Sequence, residues 1–331
     1  MSFIVESNSL ERHRFRKMFN KKNSIITVTI LLVILLIAGY LYEQGEARAY
    51  LGETQGKSIN INQVNYNYEL YGQGDYTVIV NGSAGESLLH RQALKEKFEG
   101  KARLLFYDRP GYPSSEGEFK TPEDVAKDLH FMFRKFGFDM KFIFVGEEYG
   151  SLVMEEYIKL YPEEVIGGIF INPLGQSVGS EEIKRYVDRE TASFFSKKIL
   201  GYVGLPRLLQ NMGIIDFYNQ TSFRSQEEKE KYANVMLSRE MMAVVEQELN
   251  VLTESKSDPI KPSILGSSPL IVMTSEKNKI EFNQENYLLY SDDSELFIYA
   301  DSIKDLGFQQ PEDIVSMLNG LVDKLIRQSF R

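Results

Sequence analysis

The sequence predicts an α/β protein, a mostly parallel central sheet with helices on both faces, preceded by one membrane-grade helix. Three observations predict it. From residue 102 onward short apolar runs alternate with segments of helical period. The runs are apolar at successive positions rather than alternate ones, as in strands buried on both faces. Residues 25–38, IITVTILLVILLIA, carry no charge at all.

With Gly39, Tyr40, Leu41 and Tyr42 that uncharged stretch reaches the ~17–25 residues that a bilayer-spanning helix requires. Ahead of it stand Arg12, Arg14, Arg16, Lys17, Lys21 and Lys22 against Glu6 and Glu11, whereas Glu43 and Glu46 follow it. The positive-inside bias therefore makes 1–23 a basic cytoplasmic tail, 24–42 a single-pass anchor in the cell membrane, and the rest of the chain extracytoplasmic. Ala47-Arg48-Ala49 would suit cleavage of a signal peptide, but the apolar run outlasts the usual ~7–15-residue core of one. Residues 43–57, EQGEARAYLGETQGK, are polar and aperiodic and read as a linker.

The folded domain is expected over 58–331. In INQVNYNYELYGQGDYTVIVNG two runs, 59–71 and 76–81, are split by GQGD, which predicts a hairpin or strand pair. Strands follow at 102–108, 141–146, 166–172, 269–275 and 295–300, and helical periods lie at 86–98, 122–137, 151–161 and 311–328. Thr121 before Pro122 opens one helix with an N-cap and a first-turn proline, and Pro311 opens the last in a related way. Strands alternating with helices imply a parallel sheet covered on both sides. Residues 174–262 break the alternation: they hold helical stretches and no strand, so a helical lid is expected there, with Met236, Met241 and Met242 as packing residues.

Composition excludes several chemistries. There is no cysteine, so no disulfide, thiolate metal site or cysteine nucleophile is available, and neither metal nor cofactor is expected. The net charge is −9; the first 23 residues carry six basic groups against two acids, leaving −13 for the remainder. So acidic a domain lacks the basic face that nucleic acid requires. His13, His90 and His130 are the whole stock of imidazole. The first falls before the anchor and the others in helices early in the domain, where structural or surface roles suit them.

Three motifs remain. VIVNGSAG (78–85) is a strand followed by a tight loop, YDRPGYPSSEG (107–117) is a glycine- and serine-bearing loop, and KFIFVGEEYGSLVMEEYIKLYPEEV (141–165) is an apolar run, a turn bracketed by Gly146 and Gly150, and an amphipathic helix. Together with YPEEVIGGIFINP (161–173), they resemble the α/β-hydrolase family over nearly all of 58–328. The resemblance implies an α/β-hydrolase fold, a nucleophile elbow at 146–150, and oxyanion-hole amides at Ser83 and Tyr149, with Asn81 in place of the usual histidine.

The residues that the resemblance places at the three catalytic positions depart from the family. Glu148 stands for the nucleophile, Asn278 for the acid with Asn172 at the alternative acid position, and Lys304 for the base. A register one residue off would put Glu147 or Ser151 at the elbow, but the two glycines bracket Glu148 symmetrically, and Ser151 suits the start of the helix. In a working site nucleophile and base touch, so Glu148 and Lys304 are expected to form a charge-assisted pair that holds both ionised. Two functions follow from different classes. One is a membrane-tethered, catalytically degenerate member that binds an apolar small molecule or a protein partner under the lid. The other is an active hydrolase of an ester or lipid-like substrate that uses Glu148 with Lys304. A structural envelope protein is the third reading.

Overall fold

The computed structural model describes residues 21–51, 56–216, 225–254, 258–259, 261–299 and 310–329. Helix α1 (Lys21–Leu51) exposes its apolar residues, and 22–46 form a 25-residue span long and apolar enough to cross a membrane. The helix continues to Leu51, through much of the segment expected as linker. Glu46-Ala47-Arg48-Ala49 are good helix formers, and Glu43 is buried against Arg207, a tertiary contact that local composition does not reveal.

The domain opens with a hairpin of β1 (Lys57–Ile61) and β2 (Val64–Tyr71), turned by Asn62 and Gln63 at φ 48° and 69°. Positive φ at both central residues is what a two-residue hairpin turn of matching twist needs. The pairing expected across GQGD does not form. Instead β2 pairs antiparallel with β4 (Ala102–Tyr107), and β3 (Tyr76–Asn81) lies beyond β4 and parallel to it. Asn62-Gln63 lacks the glycine that usually signals such a turn, and its geometry draws on a distant partner: Asn62 Nδ2 donates to the Asp128 carboxylate at 2.7 Å.

The eight-stranded sheet has the order β1-β2-β4-β3-β5-β6-β7-β8, with β5 (Phe142–Glu147), β6 (Val165–Ile171), β7 (Leu270–Ser275) and β8 (Ser294–Tyr299) all parallel to β3. Successive side chains enter opposite cores. Phe142 and Phe144 pack with Val125, Leu129 and Tyr157 on one face, and Ile143 and Val145 with Ile314, Leu318 and Leu321 on the other. The first face is covered by α3 (Pro122–Phe136) and α4 (Tyr149–Leu160), the second by α2 (Gln92–Lys97) and α10 (Pro311–Ser329). Thr121 caps α3 by accepting from the Asp124 amide at 3.3 Å, and Gly137 closes it in the left-handed conformation.

Between β6 and β7 the chain inserts α5 (Glu181–Gly201), α6 (Leu205–Asn211), α7 (Gln226–Met236) and α8 (Arg239–Glu254). The short α9 (Glu276–Glu281) follows β7. Ile183, Val187, Met241, Val244, Leu249 and Leu252 of the insertion join the same core as α3 and α4. Met241 joins that core, Met236 packs against it, and Met242 is buried.

Candidate functional site

One residue separates β5 from α4: Glu148, at φ 43° and ψ −107°. A backbone this unusual for a residue with a Cβ costs about 1–3 kcal/mol and persists only where its surroundings impose it. Here the Glu148 amide donates to the Ile171 carbonyl at 2.9 Å, and its carbonyl accepts from the Ser151 amide at 3.1 Å and from the Ser151 hydroxyl at 2.5 Å. Ser151 is fully buried, and its hydroxyl also accepts from the Leu174 amide at 3.2 Å, so it holds the turn. The glycines matter sterically: a Cβ on Gly150 would lie 2.3 Å from the Asn81 carbonyl oxygen, and one on Gly146 3.0 Å from that of Gly150. Glu148 itself is half-buried, and the Tyr186 hydroxyl of α5 donates to its carboxylate at 3.0 Å.

Gly150 brings the elbow against the loop after β3, so the residues matching the two oxyanion donors share one end of the sheet. Tyr149 opens α4, where an amide has no acceptor within the helix. The Ser83 amide, by contrast, donates to the Glu86 carboxylate at 2.7 Å. The same Glu86 oxygen accepts from Arg91, whose other terminal nitrogen lies 3.5 Å from Glu147. All three charged side chains are buried, and a Cβ on Gly82 would collide with Arg91 Nη2. Asn81 accepts from the Tyr107 hydroxyl, and its Nδ2 lies 3.5 Å from the Val145 carbonyl oxygen.

A second buried network joins this loop to the insertion. Arg109 Nε donates to Glu248 Oε1 at 2.5 Å, and its terminal nitrogens reach the carbonyls of Gly82 at 2.8 Å and Ser83 at 2.7 Å. The Gly85 amide donates to the other Glu248 oxygen at 2.8 Å, and the Tyr112 hydroxyl donates to the same carboxylate at 3.0 Å. The guanidinium also lies over the Tyr149 ring, 4.9 Å from its centroid. Burial opposes the charge of Arg109, but the Glu248 carboxylate outweighs it and holds the guanidinium pKa well above its ordinary value. Glu248 thus comes down from α8 onto the floor beside the elbow and is completely buried.

At the acid positions Asn278 Nδ2 donates to Asn172 Oδ1 at 3.2 Å, so the two amides are joined to each other. Asn172, at φ 43°, donates its own amide to the Met273 carbonyl at 2.8 Å. Lys304 lies outside the described residues. Burial pushes His90 down to about 4; its Nδ1 accepts from the Ser87 amide at 3.0 Å, and its ring packs edge-on against Tyr232 of α7. His130 stacks on Tyr161 with ring centroids 4.1 Å apart, and its Nδ1 lies 3.1 Å from Glu164. No group of three or more metal-ligating side chains forms among the described residues.

A cavity of about 400 Å³ opens between α3, α4 and the end of α8, bordered by Thr121, Leu152, Lys159, Val178 and Val251. Glu155 faces it, accepting from the hydroxyls of Tyr287 at 2.7 Å and Tyr290 at 3.1 Å and from Gln176 Nε2 at 3.1 Å. Burial raises its carboxyl to about 7 against those hydrogen bonds. Sequence reasoning passed over Glu86, Arg91, Arg109, Glu155 and Glu248. A signal existed for two of them. Glu248 falls on the stripe Met241-Val245-Leu249-Leu252 of α8, and Glu155 lies between Leu152 and Ile158 on the buried face of α4. A carboxylate on an apolar stripe must find a partner.

No protein-family model and no curated protein matches the sequence. Solved structures do. The chain is similar to a thermophilic esterase from Thermogutta terrifontis, at 19% identity and TM-score 0.60, over 82% of this chain and 98% of that one. It is similar to the epoxide hydrolase CorEH, at 12% identity and TM-score 0.63, over 82% and 99%. A third is an α/β-hydrolase enzyme from a Medee basin deep-sea metagenome library, at 16% identity and TM-score 0.62, over 81% and 97%. At such identities the likeness establishes the fold, which is the α/β-hydrolase fold.

Proposed function

We propose that this chain is a membrane-anchored protein of α/β-hydrolase fold that has given up serine-hydrolase chemistry and serves as a binding module for a ligand or another protein. The observation that carries the reading is the Glu86 carboxylate on the Ser83 amide. An oxyanion hole works by offering its N–H groups to charge that develops in the transition state. Here a resident anion already takes one of them, pinned in place by Arg91. An incoming oxyanion would meet like charge where the family supplies a donor.

The substitutions at the catalytic positions support the same reading. A carboxylate replaces the nucleophilic hydroxyl at Glu148, and amides bonded to each other stand at both acid positions. With Lys304 in the base position, Glu148 and Lys304 would neutralise one another instead of moving a proton. The apolar span of α1 is the anchor, and the basic residues ahead of it favour a cytoplasmic N-terminus with the folded domain outside. A ligand would enter between the insertion and the body, where the cavity beside Glu155 lies.

One observation favours the second reading, an active hydrolase that uses Glu148: the residue keeps the strained elbow backbone that presents a nucleophile. The same experiment decides between the two. The full chain, in mild detergent, is treated with a fluorophosphonate probe and with panels of short esters and lipids. No labelling, and no turnover above that of Glu148→Gln, is expected. Turnover that Glu148→Gln abolishes would establish the second reading and overturn the first.

A further inference from the structure

The far end of α1 is joined to the insertion by close packing. A Cβ on Gly39 would lie 2.1 Å from the Val203 carbonyl oxygen, and one on Gly204, at φ 64°, 2.9 Å from the Gly39 carbonyl oxygen. The helix and the turn after α5 therefore touch backbone to backbone. Asn211 donates to the Tyr42 hydroxyl at 2.9 Å. One residue on, Glu43 forks Arg207, with both bonds at 2.8 Å, and Arg207 also donates to the side chain and carbonyl of Asn234 at 2.5 and 2.9 Å. Arg207 is wholly buried. A buried bidentate pair with every charge engaged fixes orientation as well as distance.

Around that joint the insertion turns apolar side chains outward. Phe195 and Ile199 of α5 and its C-cap Tyr202 are 59%, 52% and 47% exposed, and from the middle of α6 onward Leu208, Met212, Ile214 and Ile215 are 41%, 63%, 59% and 41% exposed. Phe195, Ile199 and Tyr202 follow the spacing i, i+4, i+7 of one helical stripe, whereas the second set runs off the end of α6, where Gly213 at φ 67° stops the helix, and forms an exposed apolar turn. Away from α1 and this segment, the exposed large apolar residues such as Leu70, Phe131, Leu160 and Ile280 are scattered along the chain. Contiguous apolar stripes on a water-facing surface mark an interaction site, whereas single residues do not. The uncharged stretch of α1 ends at Tyr42, inside the Gly39–Glu43 joint, so the turn at Val203-Gly204 that separates the two apolar sets packs where that helix would leave the hydrocarbon.

We infer that residues 195–215 form a membrane-seating surface: the α5 stripe and the apolar turn after α6 lie in the interfacial layer of the leaflet that α1 leaves, and the insertion rests on lipid. The inference depends on the reading of α1 as a membrane anchor. The partner is the boundary between headgroups and acyl chains, which in-plane helices with an apolar face occupy.

The chain has no cysteine, which makes a direct test simple. Single substitutions Phe195→Cys, Ile199→Cys and Met212→Cys, each labelled with an environment-sensitive fluorophore, are placed in the full chain reconstituted into phosphatidylcholine–phosphatidylglycerol vesicles. Leu35→Cys reports the anchor, and Lys141→Cys, exposed at the far end of β5 from the elbow, reports water. With spin-labelled lipid, quenching at 195, 199 and 212 is expected to exceed that at 141 by about threefold or more, as for side chains at the acyl boundary. Quenching at 35 without quenching at 195, 199 and 212 overturns the inference and leaves the anchor standing. A blue shift there without lipid quenching means that protein covers the apolar surface, and it also overturns the inference. If position 35 is unquenched, the anchor fails and the inference falls with it.

Discussion

Removing Glu248 is predicted to be one of the most damaging single changes in the domain. The side chains of Arg109 and Glu248 are 5% and 0% exposed, so neither charge has water to fall back on. In Glu248→Ala the guanidinium keeps the carbonyls of Gly82 and Ser83 but loses its only carboxylate among the described contacts, and the Gly85 amide loses its 2.8 Å acceptor. Two unit charges about 4 Å apart at an effective dielectric of 20 interact by about 4 kcal/mol. Breaking a buried pair typically costs about 3–5 kcal/mol, so about 4 kcal/mol is expected. For a domain of this size, that lowers the melting temperature by about 7 °C. Urea unfolding followed by circular dichroism measures it, since the chain has no tryptophan. Glu248→Gln should lose about half as much, because it keeps the shape and some hydrogen bonds. The double change Arg109→Met with Glu248→Leu should recover at least about 2 kcal/mol of the summed single losses. Single losses under about 1 kcal/mol, or losses that simply add, would refute the claim that this pair holds the insertion on the floor of the site.

Two buried groups give stability opposite slopes with pH. His90, lowered to about 4 from 6.5, stays neutral while the unfolded chain takes up a proton, so its contribution is lost as pH falls from 6.5 to 4. Glu155, raised to about 7 from 4.5, keeps a proton that the unfolded chain has given up, so its contribution is full below 4.5 and lost as pH rises through 7. Each spans about 3 kcal/mol, so Glu155→Gln should gain most of that at pH 8 and almost nothing at pH 4, read from urea midpoints at both. A gain that does not change with pH would mean that the carboxyl has the same pKa in the folded and unfolded chain, which refutes the shift by burial. Gly150→Ala should cost about 3 kcal/mol, since its Cβ would lie 2.3 Å from backbone, whereas Gly320→Ala, with open space on α10, should gain about 0.5–1 kcal/mol in the same melts. The double change Glu148→Ser with Lys304→His should be tolerated better than either single change; additive losses would show that the two side chains do not meet.

Much of the architecture could be read locally. The apolar runs became β4 to β8 within about a residue at each end, a margin that assignment at element ends always carries. Thr121-Pro122 opened α3 as its residue types required. The elbow too was legible, because Gly146 and Gly150 are demanded by backbone crowding within the turn and against the adjacent loop. The first hairpin was misread because Asn62 and Gln63 reach positive φ without glycine, with Asn62 tied to Asp128 far along the chain. The end of α1 was misread for a similar reason, with Glu43 held by Arg207 from the insertion.

Periodicity, caps and glycine placement act over a few residues, so the sequence by itself determined the α/β alternation, the apolar span and the presence of an elbow. The state of the site was decided by the tertiary structure. Glu86 on the Ser83 amide, Arg109 under Glu248 and Glu43 on Arg207 are charges that have left water, and each can stay buried only beside its partner. Two of those pairings join residues 139 and 164 positions apart, a distance over which composition and spacing carry no information about which charge meets which. Folding brought them together, and with them came a carboxylate seated on the Ser83 amide, an insertion held on the floor of the site, and an apolar helix docked against that insertion.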